Sequence, residues 1–162
     1  EEIQIDSWRN NIDWQLNSYF YLTQQFLIKM RKQGFGSIVN ISSIYGIVGQ
    51  DLTIYEGTDI HENMTYAAIK GGITNLTRQM ASYYGQFNIR VNTICPGGLQ
   101  GHMAGRSNTQ EPRFVEQYIK KTPLKRMGSA DEVASTALFL ACNASSYISG
   151  SSIVVDGGWT II

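Results

Sequence analysis

Apolar residues recur at helical spacing from the start of the chain. Trp8, Ile12, Leu16, Tyr19, Leu22, Phe26 and Met30 fall three or four positions apart and share one helix face. The pattern predicts a helix over about 7–32, with Asp6 or Ser7 as N-cap and Gly34 and Gly36 ending it. SIVNIS, 37–42, is short and apolar-rich, as a buried parallel strand is. Residues 43–63 hold Gly46, Gly49 and Gly57 and no sustained period, which predicts a long loop. Loops beyond about 12–15 residues are uncommon and often functional.

Helical spacing resumes with Tyr66, Ile69, Ile73, Leu76, Met80 and Tyr84, predicting a helix over 65–84 with a small-residue face at Ala67, Ala68, Gly71 and Gly72. NIRVNTIC, 88–95, reads as a second strand, 96–112 as a glycine-rich loop and 114–121 as a short helix. Ser129 is the N-cap candidate for a helix over 131–142, with acidic residues in the first turn where the dipole favours them. SSIVVD, 151–156, is the last strand. Helices alternating with buried strands imply an α/β fold with a parallel sheet and right-handed crossovers. Ligands of such sheets bind outside the carboxyl ends of the strands, here Ser42–Ser43, Cys95–Pro96 and Asp156–Gly157.

Composition narrows the function classes. Of 162 residues 43% are apolar, enough for a core, and 16% are charged, which argues against disorder. Thirteen basic and thirteen acidic side chains cancel, so no basic excess points to nucleic acid or an anionic membrane. Cys95 and Cys142 are too few for a disulfide framework or a metal cluster and are expected to be small buried hydrophobes. No apolar run approaches the roughly 18 residues of a membrane span. A cytoplasmic setting is expected. The opening EEIQIDSW lacks a methionine and enters a helix at once, as the middle of a domain would.

The candidate chemistry sits in YAAIK, 66–70. On a helix Tyr66 and Lys70 lie one turn apart, which by itself describes an ordinary surface pair. The surroundings change that reading. In order, the chain carries IVNISS, YAAIK, IRVNTICPGG, PLKRMGSADEVA, FLA and ISGSSIVVDGG. From Trp8 to Trp159 this order resembles the short-chain dehydrogenase/reductase family. The resemblance implies a Rossmann-like doubly wound sheet, of which only the C-terminal half is here, and hydride exchange with NAD or NADP. It implies that Tyr66 is the acid/base and that Lys70 tunes it and binds the nicotinamide ribose. A phenol with a reference pKa near 10 is a poor base at neutral pH, and a nearby cation favours its ionised form. Ser43 would hold the substrate oxygen, with Ser42 the alternative because adjacent strand residues face opposite ways. Pro96, Gly97 and Gly98 would meet the nicotinamide carboxamide. Leu99–Pro112 matches the substrate-binding segment, with Leu99 and His102 as candidate contacts, although His61 and His102 also read as solvated loop residues. Arg90, Asn92, Arg126, Asp131 and Asp156 read as structural.

Four departures qualify the resemblance. No glycine-rich nucleotide turn precedes Trp8, so about 90 residues of a single domain are expected upstream. Gln15 stands where the family has the asparagine of its proton relay. Gly101 stands where many members have a threonine. The Ser43–Tyr66 interval carries an extra segment, QDLTIYEGTDIHEN, above the substrate site. That insertion, with YEGT before YAAIKGGI and then CPGGL, is similar to a subgroup associated with flagellin modification and nonulosonic-acid or nucleotide-sugar biosynthesis. It implies a sugar-linked alcohol or ketone. The resemblance also implies a homodimer or homotetramer formed through helices 7–32 and 65–84. A non-catalytic binding or assembly module on the same fold is the rival reading.

Overall fold

The computed structural model describes residues 3–60, 64–101 and 110–162, so His61 and His102 lie outside the described residues. Three strands, β1 (Gly36–Ile41), β2 (Ile89–Pro96) and β3 (Ser152–Val155), pair in the order β1-β2-β3, all parallel. Gly36 lies opposite Ile89, and Thr93 opposite Ser152. β2 is the central strand, and Val91 to Pro96 are all buried. A strand covered on both faces needs such a run.

The helices are α1 (Ile5–Ile12), α2 (Ser18–Gln33), α3 (Met64–Tyr84), α4 (Pro112–Lys121) and α5 (Ala130–Ala141). Leu27 of α2 and Met80 and Ala81 of α3 pack with Ile89 and Val91, with Ile38 alongside. Side chains alternate along a strand, so Ser37 and Arg90 face the other way. There the Leu140 carbonyl of α5 accepts from Ser37 Oγ at 2.8 Å and Arg90 Nη2 at 2.9 Å. Helices on both sheet faces make the doubly wound arrangement. Asn92 Nδ2 donates to the Ile148 carbonyl at 2.8 Å, and its Oδ1 accepts from Ser151 N at 3.0 Å. These bonds satisfy backbone groups of the turn leading into β3.

The first helix differs from the expectation of one unbroken element. α1 starts at Ile5 after Gln4, and Asp6 lies in its first turn instead of capping it. Asp13–Asn17 wind as a π-helix before α2 begins. A π turn takes in one extra residue, which rotates everything after it by about 100°. Thr23 and Leu27 are the buried residues of α2, while Leu22 and Phe26, 63% and 49% exposed, line a groove with Ile38 and Val39 of β1. Cys142 is a second correction. It is exposed at the C-cap of α5, whereas Cys95 on the central strand β2 is buried.

The loop after β1 holds two 3-10 turns, Ile44–Gly46 and Leu52–Tyr55, capped by Ser43 and Asp51. Ile44 and Ile54 from it join Tyr118, Met127 and Trp159 in a second core at the carboxyl ends of the strands. At α5 the predicted cap is present: Ser129 and Glu132 form a reciprocal capping box.

Candidate active site

β1 ends in two serines with different surroundings. Ser42 Oγ lies 2.8 Å from both the Lys70 carbonyl and Thr74 Oγ1, tying the strand to α3. Ser43 Oγ accepts from Tyr45 N at 3.2 Å, which leaves its own proton free to donate. Ser43 lines a cavity of about 240 Å³, together with Tyr66, Gly97 and Gly98. A larger space of about 480 Å³ between Pro123–Gly128 and Val154–Gly158 holds none of the candidate residues. Convergent chemistry, rather than volume, marks the smaller one as the site.

Tyr66 lies in the first turn of α3 and is 37% exposed. Lys70, one turn on, sets its Nζ 5.6 Å from the Tyr66 ring centroid and donates to the Ile41 carbonyl at 3.3 Å. Burial holds the Lys70 ammonium below its ordinary value, with a smaller opposing effect from Cys95.

Pro96 is buried at the end of β2. A Cβ on Gly97 would come within 2.9 Å of Asp156 Cα and Tyr118 Oη. Gly97 N donates to the Val155 carbonyl at 2.9 Å and Gly98 N to Tyr118 Oη at 2.6 Å. These glycines therefore allow close packing, and their N–H groups are used within the protein. Leu99 bridges to Gly128, its carbonyl accepts from Gln110 Nε2 at 2.8 Å, and it does not line the cavity. Gln15 is also outside the cavity lining, its amide donating along the helix to Asn11 Oδ1 at 3.0 Å. The remaining wall consists of Ile44, Tyr45, Gln50, Tyr55, Phe114 and Tyr118, none of which the motif order singles out. The available signal was the pair Phe114 and Tyr118, one turn apart on α4.

Among the described residues no helix is long and apolar enough to cross a membrane, and no group of three His, Cys, Asp or Glu could hold a metal. A family described as enoyl-(acyl carrier protein) reductase matches residues 1–160. The post-translational flagellin modification protein A of Campylobacter coli is 32% identical over 149 residues, covering 92% of this chain and 56% of that protein. A short-chain dehydrogenase from Leptospira borgpetersenii, solved with bound NAD+, has a TM-score of 0.83 at 32% identity, covering 98% of this chain and 58% of that one. A gluconate 5-dehydrogenase from Burkholderia cenocepacia, in complex with NADP and tartrate, has a TM-score of 0.85 at 28% identity, covering 99% and 59%. The chain thus spans just over half the length of these proteins. A parallel sheet with helices on both faces, a Tyr–Lys pair beside a strand-end serine, and these matches together make this chain a member of the short-chain dehydrogenase/reductase family.

Proposed function

We propose that the protein is an NAD- or NADP-dependent oxidoreductase acting on a carbonyl or alcohol of a sugar-linked substrate. The observation that carries this reading is the convergence of Ser43 and Tyr66 on one cavity with Lys70 one helical turn behind. The residues fit a nicotinamide cofactor. The Lys70 ammonium has three donors, and its described hydrogen bond is a long one to a backbone carbonyl, leaving donors for ribose hydroxyls. Bound nicotinamide supplies or accepts the hydride. Tyr66 exchanges the proton at the substrate oxygen, as a phenol in a partly open first turn can. Lys70 stabilises negative charge as it develops on the Tyr66 oxygen. Ser43, donating its free proton, fixes the substrate oxygen beside Tyr66. The insertion's likeness to a sugar-modifying subgroup supports the substrate class. Pairing through α1–α2 and α3 into a homodimer or homotetramer completes the proposal.

The rival reading, a non-catalytic binding or assembly module, draws on Gln15, whose amide is engaged with Asn11. Tyr66→Phe in the full-length protein separates the two. Turnover is expected to fall at least about 100-fold, with NADH and NADPH binding unchanged. Equal turnover by the variant overturns the assignment of Tyr66.

A further inference from the structure

We infer that the cavity wall facing Tyr66 selects an uncharged ring bearing hydroxyl groups, and that Gln50 and Tyr55 read those hydroxyls. This takes the cavity of the proposed reaction as given and names what fills it. Four observations support the inference. Gln50 lines the cavity half-buried and makes no hydrogen bond to another described residue, so its amide is left for a ligand. Tyr45, Tyr55 and Tyr118 bring apolar ring bodies with hydroxyl tips to the same space. Tyr118 Oη accepts from Gly98 N, so its own proton remains to donate. Burial pushes the Tyr45 hydroxyl up and that of Tyr118 up to about 12, so both stay neutral donors.

Among the described residues no charged side chain lines the cavity. Asp51, the nearest acid on the insertion, is paired with Lys121. A carboxylate or phosphate placed here would lose its water and meet no cation among the described lining residues. An acyl chain would leave the Gln50 amide unpaired, the penalty by which a polar site rejects an apolar analogue. At about 240 Å³ the cavity has room for one ring.

The insertion is fastened to α4 at Asp51, Tyr55 and Glu56. Asp51 pairs with Lys121, Gln117 Nε2 donates to the Glu56 carbonyl at 2.9 Å, and Tyr55 stacks on Phe114 at 5.8 Å and 11°. Ile54 is fully buried beneath it. Polar groups held this way can discriminate, because they do not relax around a wrong ligand.

Calorimetric titration of the full-length protein with NAD+ or NADP+ present tests this, with myo-inositol, methyl α-D-glucopyranoside and D-gluconate as probes. At least one neutral polyol is expected to bind about tenfold or more tightly than gluconate. Gln50→Leu and Tyr55→Phe should each weaken that binding about tenfold, with nucleotide affinity and melting temperature unchanged. The phenylalanine keeps the stack on Phe114 and removes only the hydroxyl. Gluconate binding as well as the polyols, no polyol binding, or variants that bind like wild type each overturn the inference. Polyol binding with these variant effects but no nucleotide reduction sinks the oxidoreductase reading and leaves this one standing.

Discussion

Two adjacent serines show how much depends on a single side chain's direction. Ser42 and Ser43 are chemically identical, and the sequence fixes only that they face opposite ways. Which one meets the cavity was not legible, because it depends on Thr74 and the Lys70 carbonyl, a loop and a helix turn away in sequence. Ser42→Ala removes a buried hydroxyl and is expected to cost about 1–2 kcal/mol in denaturant unfolding while the folded fraction keeps its turnover. Ser43→Ala is expected to do the reverse, with turnover lost and stability nearly unchanged. Equal effects of the two on turnover would refute the division. Lys70 carries a pH signature. Its folded value is depressed by burial, so between that value and the ordinary 10.5 the unfolded chain binds the extra proton. Stability should therefore rise with pH through that window, as the buried ammonium discharges. Lys70→Met should lose this rise, read from thermal melts between neutral and alkaline pH, and should lose turnover as well.

Local codes were read well at the level of elements, and distant ones were not. Ser129 and Glu132 declare a capping box within four residues, and the structure has it. Helical periodicity located α3 because its buried Ile69, Ile73 and Met80 keep an ordinary period. The π turn before α2 was not legible, since it leaves no mark in the apolar pattern that a period of 3.6 would register. Glu132 also ties α5 to the preceding turn. Arg126 grips its carboxylate through two bonds, 2.9 and 2.6 Å long. With the Ser129 backbone, that grip holds the carboxyl down at about 2, against an ordinary 4.5. A depressed carboxyl contributes stability that is complete above the ordinary value and lost as pH falls toward the folded one. Glu132→Gln should accordingly flatten the acid limb of stability between pH 4.5 and about 2. An unchanged acid limb in urea melts would show that the pair contributes nothing.

For the whole molecule, topology was legible and docking was not. Alternating elements imply parallel strands, and all three strands pair in parallel. That the insertion would fasten to α4 could not be read, because Asp51 and Lys121 stand 70 positions apart and no local rule links them. The outer surface of the first helices follows the same logic. Trp14 is 78%, Tyr21 62% and Phe20 39% exposed, which is unusual for aromatics on one stretch of helix. A Cβ on Gly72 of α3 would come 3.0 Å from Leu16, so α3 is small where the first helices approach. Leu16, Phe20 and Tyr21 thus form one groove with Gly72, Asn75 and Gln79. A two-fold partner presenting the same groove would bury the aromatics against each other, since a self-complementary face meets itself. Light scattering on the full-length protein should then give a dimer or tetramer. Tyr21→Glu sets a charge in the middle of the groove and should shift the mass downward without altering the melting curve of the separated chain. A wild type that stays strictly monomeric at high concentration would refute this use of the two helices, and would leave the exposed aromatics for some other cover.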